Sequence, residues 1–260
     1  MERRRLTALF DTVAPLYDTV EPRFFREMAR RLAARVAEHR WSRVLDVATG
    51  PGVVLSEIAA TGASPGLVGV DLSTGMAREA RTRLDAIGAP AQFAVMDAEH
   101  LGLLDGSFDL VTMSRAYLLP QREAILREIR RVLRPGGVLA IAELGRLDRR
   151  WSWKDDLYAR LLPRVPGVAR PAFDAAIFRA ELGAAGFDDV QVENDDLDVA
   201  FADLDEWWES SMSHGERGAL GLMHDDARRT FFELADPRQC LEEDGRLHWR
   251  PEVLFGIARR

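Results

Sequence analysis

Apolar positions along the chain follow two different periods. Over residues 20–40, Phe24, Phe25, Met28, Leu32 and Val36 recur every three to four residues, which predicts a leading helix. Beyond Arg40 the pattern changes to short runs that are apolar on both faces. They span Arg43–Ala48, Leu67–Asp71, Ala91–Val95, Phe108–Met113 and Val138–Glu143, and each predicts a strand. Helical spacing returns between them, near 53–60, 75–87 and 122–133. Strands alternating with helices imply right-handed crossovers and a parallel, doubly wound α/β sheet. Strands apolar on both faces are what helices on each side require. Pro135-Gly136-Gly137 ends the helix closing at Leu133 and turns the chain into the fifth strand.

After Glu143 the pattern loosens. Residues 145–170, rich in Arg, Trp and Pro, read as a loop with one short helix. A helix over 172–185 closes at Gly186, and Phe187–Val192 reads as a sixth strand. Residues 197–247 read as mainly helical, and Trp249–Ala258 as a last strand. No linker interrupts the chain, so a single domain is expected. Its parts are a helical lead-in over 1–40, a core over 43–194, a helical cap over 195–247 and a last strand within 248–260.

Composition narrows the function. A chain of 260 residues, 47% hydrophobic and 30% charged, can bury a sizeable core. Its net charge of −7 argues against affinity built on phosphate neutralisation, so no nucleic-acid partner is expected. Small neutral or cationic substrates remain open. Cys240 is the single cysteine, which excludes an intrachain disulfide and a cysteine-based zinc site and suits a reducing compartment. Arg3–Arg5 resembles the head of a signal peptide, but Asp11, Pro15 and Asp18 interrupt any apolar run behind it. The run reads instead as a solvated, frayed terminus. No stretch reaches the ~20 apolar residues of a membrane helix, and a cytoplasmic location with no metal is expected.

The chemistry concentrates in Val44-Leu-Asp-Val-Ala-Thr-Gly-Pro-Gly52, a strand that enters a glycine turn before a helix. Gly50 and Gly52 let the backbone bend sharply and approach a ligand. The helix behind them offers free N–H groups to an anion. Asp71 ends the second strand about 20 residues on, where a carboxylate can hold ribose hydroxyls. Such a turn fits a dinucleotide enzyme or an adenosylmethionine enzyme. The dinucleotide fingerprint asks for a third glycine where this chain has Leu55. Asp46, at the mouth of the turn, would repel a pyrophosphate but attract the ammonium and sulfonium of S-adenosylmethionine. Asp97 and Ala98, after the third strand, supply an acceptor for an adenine amino group and an N–H for a ring nitrogen.

In this order and spacing the motifs resemble the class I methyltransferases, particularly the subgroup like the quinone-biosynthesis methyltransferases. The matching pieces are Leu45–Gly52, Gly69-Val-Asp-Leu-Ser73, Asp97-Ala-Glu with Asp105-Gly-Ser-Phe-Asp109, and Leu126–Gly137. Phe10–Asp18 is similar to the lead-in of many members, and Leu182–Val192 to the late helix and sixth strand. The resemblance implies a Rossmann-like seven-stranded sheet with an antiparallel last strand, and S-adenosylmethionine as donor. It also implies Gly50, Gly52 and Asp46 at the donor's amino-acid end, Asp71 on the ribose, and Leu72 and Met76 on the adenine. Asp97 and Ala98 would read the adenine edge, Ser114 would lie near the amino-acid end, and Tyr17 would close over it. Two departures stand out. Ala48 replaces the first glycine, tolerable if φ stays negative there. The segment Ser114–Pro120, which includes Tyr117 and often faces the acceptor, is short and lacks the family's frequent histidine.

Methyl transfer needs a general base only for a nucleophile whose proton has a high pKa. Among the histidines, His214 is the candidate, following Trp207 and Trp208 in the cap; His100 lies in the loop after Asp97. Trp207, Trp208 and Tyr117 are candidates for contacting a planar acceptor. The cap and the segment through Tyr17 are expected to cover the donor. The leading expectation is methylation of a small molecule on O, N or C, such as a specialised metabolite, by a monomer or homodimer. The alternatives are a macromolecule methyltransferase, a non-methylating descendant such as a cyclase that keeps the donor as a structural ligand, and an NAD(P)-dependent oxidoreductase.

Overall fold

The computed structural model describes residues 3–17, 24–62, 66–116, 121–162 and 173–260. Seven strands form its main sheet: β1 (Arg43–Val47), β2 (Gly66–Asp71), β3 (Ala91–Val95), β4 (Phe108–Ser114), β5 (Leu133–Leu144), β6 (Asp188–Asp196) and β9 (Glu252–Arg259). Their spatial order is β3-β2-β1-β4-β5-β9-β6. The first five pair in parallel, and β9 is wedged antiparallel between β5 and β6. This is the expected doubly wound, Rossmann-like sheet with its antiparallel last strand.

Alternate residues of the central strands serve opposite faces. Val44, Leu110 and Ala140 join a core with α2 (Phe24–Val36) and α3 (Val53–Ala60), along with Leu84 of α4 (Thr74–Ala86). Leu45, Val111, Leu139 and Ile141 join a second core, with Ile125 and Ile129 of α5 (Arg122–Val132) and Phe178 and Leu182 of α7 (Ala175–Ala184). The family-like motifs also do structural work. Buried Asp109 accepts the N–H groups of Ser42 and Arg43 and so fixes the entry to β1. Arg131 binds the Leu101 and Leu103 carbonyls and the Glu128 and Asp105 carboxylates.

Several expectations need correction. Arg3–Arg5 belong to α1 (Arg3–Val13), which packs Val13, with Ala14 just beyond it, around Met76 of α4. The arginine run masked this amphipathic helix. β5 starts at Leu133, not Val138, because Leu133 already pairs with Phe108 and Gly136 bends the strand at φ +75. The last strand is two strands. β8 (Leu247–Trp249) pairs with β7 (Val199–Phe201) in a separate small sheet, and β9 begins beyond Pro251, which lacks a ladder N–H.

The cap thus carries a small sheet besides its helices. It combines that small sheet with α8 (Leu204–Met212), α9 (Arg217–Leu220) and α10 (Asp225–Leu234), and it draws in α6 (Trp153–Leu161). Trp151, Trp207, Trp208 and Phe231 form its buried aromatic centre. No helix among the described residues is long and apolar enough to cross a membrane.

Candidate functional site

The carboxyl ends of β1, β2 and β4 meet at the glycine turn. Ala48, Gly50 and Gly52 all adopt positive φ, at +54, +52 and +76. The negative φ that would make alanine cheap at position 48 is thus not met, and Ala48 holds a conformation costing roughly 1–2 kcal/mol relative to glycine. The turn is held by its neighbours: Thr49 N–H donates to the Val70 carbonyl at 3.0 Å, and Gly52 N–H to the Thr49 carbonyl at 3.0 Å. Gly52 is required sterically as well, since a Cβ there would sit 3.0–3.1 Å from Leu84 and Ala80 of α4.

Asp71 ties the ends of β1 and β2 together. Its Oδ2 accepts Gly50 N–H and its Oδ1 accepts Ser73 N–H, both at 2.9 Å. Burial raises its pKa, opposed by these backbone donors. Asp46 is 1% exposed, and its Oδ1 accepts the Thr112 hydroxyl at 2.7 Å. Its Oδ2 is buried without a hydrogen-bond partner. Burial pushes the Asp46 pKa up to about 7, outweighing the Thr112 hydrogen bond and the neighbouring Thr49 hydroxyl, with the Asp71 charge adding to the rise. An unpartnered carboxylate oxygen against a cavity is suited to a cation.

That cavity brings together Tyr17, Asp46, Ala48, Gly50 and Ser114 of the sequence-derived set. Phe25, Val53, Val54 and Arg115, which the sequence reading missed as site residues, also line it. Tyr17 and Phe25 face each other with ring centroids 4.9 Å apart. Phe25 carried a signal only as an apolar helix position, and Arg115 carried none. Arg115 has φ +59, and its Nη1 donates to the buried carboxylate of Glu143 at the end of β5.

Other expected residues stand apart from the cavity. Gly52 faces α4, and Met76, 1% exposed, is packed beneath α1 instead of lying open for an adenine ring. Leu72 and Ala98 are half-buried. Asp97 organises a turn: its Oδ1 accepts Glu99 N–H at 3.0 Å and its carbonyl accepts His100 N–H at 2.9 Å. Ligating atoms of Asp97, Glu99 and His100 lie within 4.8 Å of one another, an arrangement common on acidic surface turns. α1 is latched over α4 by Asp11, also missed, whose Oδ1 accepts the Ser73 hydroxyl at 2.5 Å and Gly75 N–H at 2.8 Å.

The acceptor-side candidates need the largest correction. Trp207 and Trp208, 4% and 6% exposed, fill the cap's own centre and do not line the cavity, because Trp207 packs against Phe231 and Trp151 and Trp208 against Phe231. His214 is also not a wall residue. Its ring lies edge-on to Phe24 and Phe25 at 5.6 and 5.3 Å, and its Nδ1 accepts Glu216 N–H at 3.4 Å. Tyr117 lies outside the described residues. The cap does reach the lead-in, since Gly218 of α9 packs directly on Leu9 of α1.

Sheet order, glycine turn and the acidic residues at the strand ends define one class of protein. Residues 44–137 match the family model of a methyltransferase domain, and the chain belongs to the S-adenosylmethionine-dependent methyltransferases. It is 35% identical to the malonyl-[acyl-carrier protein] O-methyltransferase of Geobacter sulfurreducens over 75% of this chain and 74% of that protein. It is 34% identical to the demethylmenaquinone methyltransferase of a Parafrankia species, over 68% of this chain and 78% of the relative. The solved structure of the YcgJ protein of Bacillus subtilis shares the fold, with a TM-score of 0.63 at 20% identity over 89% of this chain and 97% of that one. Leu55, fully buried where a dinucleotide enzyme would carry its third glycine, agrees with this assignment over the oxidoreductase alternative.

Proposed function

We propose that the chain moves a methyl group from S-adenosylmethionine to a small-molecule acceptor in the cavity at the ends of β1 and β4. When bound, the donor supplies a methyl carbon already activated by its sulfonium. The observation that carries the reading is the unpartnered Oδ2 of Asp46, a buried carboxyl with a pKa of about 7 that a cationic ligand in the cavity would hold ionised. The free N–H groups opening α3 suit the donor's carboxylate, and Gly50 lets the backbone come close to it. Asp71 suits the ribose hydroxyls, Leu72 an adenine face, and Asp97 with Ala98 the adenine edge. Ser114 and Tyr17 border the amino-acid end.

What the protein then contributes is alignment and dryness. Tyr17, Phe25, Val53 and Val54 exclude water from the reacting atoms, and no base is assigned. The relatives' names place methyl groups on unlike acceptors, a carrier-bound malonyl oxygen and demethylmenaquinone. In this reading the chain is one domain, with its lead-in at 1–40, core at 43–194, cap at 195–247 and last strand within 248–260. It works in the cytoplasm as a monomer or homodimer and has no nucleic-acid partner.

Asp71→Ala tests the donor site. Removing a charge-assisted partner of the ribose, and the clamp on Gly50, should cost roughly 1.5–3 kcal/mol of S-adenosylhomocysteine binding. Titration calorimetry reads this directly, and unchanged affinity would remove Asp71 from the site.

A further inference from the structure

The cavity has two charged poles. Asp46 provides the negative one, and among the described lining residues Arg115 is the only cationic side chain. Arg115 follows Ser114 at the end of β4, where its N–H donates to the Ala142 carbonyl at 2.9 Å and φ is +59. Non-glycine residues persist in that region when their surroundings over-determine them, and they concentrate at ligand sites.

The guanidinium is held from behind. Glu143, 1% exposed, takes Nη1 with Oε1, and the same oxygen accepts Leu144 N–H at 2.8 Å, so the carboxylate itself is fixed. Engagement through Nη1 leaves the edge formed by Nε and Nη2. Nε is buried and has no hydrogen-bond partner. A buried donor without an acceptor is costly, and this side-on edge matches two coplanar oxygens of a carboxylate.

We propose that Arg115 recognises the acceptor by binding a carboxylate on it through the Nε–Nη2 edge, with Glu143 clamping the opposite corner of the fork. This deepens the methyltransferase reading and rests on it. The two poles then divide the ligands: the donor's cationic end lies toward Asp46 and the acceptor's anionic end toward Arg115. The donor's own carboxylate shares this chemistry, but the first turn of α3 already offers it backbone N–H groups.

The test uses the intact chain saturated with S-adenosylhomocysteine. Two probe pairs are titrated, malonyl- against acetyl-N-acetylcysteamine and 4-hydroxybenzoate against 4-hydroxybenzamide. At least one carboxylate should bind about tenfold or more tighter than its neutral counterpart. Arg115→Lys keeps a charge opposite Glu143 but loses the planar edge. It should reduce that preference to about threefold or less while S-adenosylhomocysteine affinity stays within about twofold. If Arg115→Lys lowers the melting temperature, Arg115→Gln serves in its place. No carboxylate preference in the wild type, or a preference that survives substitution, overturns the proposal. So does a loss confined to S-adenosylhomocysteine with 5′-methylthioadenosine binding unchanged, which would assign Arg115 to the donor's carboxylate. Failure of the wild type to bind S-adenosylhomocysteine at all would instead refute the underlying methyltransferase reading.

Discussion

Asp46 shows how one buried carboxyl is linked to both stability and function. Its folded pKa of about 7, against an ordinary 3.8, means the folded chain holds a proton that the unfolded chain releases. The resulting cost is absent below about pH 4, grows as pH rises towards 7 and is constant above. Asp46→Asn removes it, so the ligand-free variant should be more stable than the wild type. The gain should be roughly 2 kcal/mol larger at pH 8 than at pH 5.5, at about 1.4 kcal/mol per pK unit. Denaturant unfolding at the two pH values measures the difference, and a pH-independent gain would contradict the burial argument. Asp46 and Gly50 were legible in the sequence because a carboxylate beside a glycine turn has few chemical uses. The positive φ of Ala48 was not, since side-chain identity does not report a backbone torsion imposed by Thr49 and Asp71. Arg115 was silent for a related reason: its meaning depends on Glu143, 28 residues away and brought alongside only by β4–β5 pairing.

At the scale of elements, the five parallel strands were legible because helices on both faces demand uninterrupted apolar runs. Elements held by few or distant contacts were not. α1 hid behind its arginines, and the strands of the small cap sheet are three residues each, too short for a period to register. The split at Pro251 became visible only once β7 supplied a partner for β8. The latch between α1 and α4 is of the same kind, with a single carboxylate joining two helices 62 residues apart through Ser73 and Gly75. Asp11→Ala should release α1 without disturbing the sheet, because Asp11 touches the rim of α4 rather than either core. Hydrogen exchange should quicken over residues 5–16 and remain unchanged over β1, β4 and β5. Equal protection of α1 in variant and wild type would show that the Val13–Met76 packing alone holds it.

Across the whole molecule, a parallel sheet collects Asp46, Asp71, Asp97 and Ser114 at its carboxyl edge, where ligands of open α/β sheets bind. The cap and α1 close in from opposite ends of the chain and meet at Leu9 and Gly218. Charge, cavity and family membership converge on a cationic adenosine donor, and calorimetric titration of the intact chain tests that convergence most directly. S-adenosylmethionine should bind with one-to-one stoichiometry, and NADP should not bind. Because the donor's positive end needs Asp46 ionised, affinity should rise roughly tenfold or more between pH 5.5 and 7.5, with proton release on binding. The same rise should be missing in Asp46→Asn. Binding of NADP in place of S-adenosylmethionine, or an affinity for the methyl donor that stays flat across that pH range in the wild type, would contradict the assignment of this site.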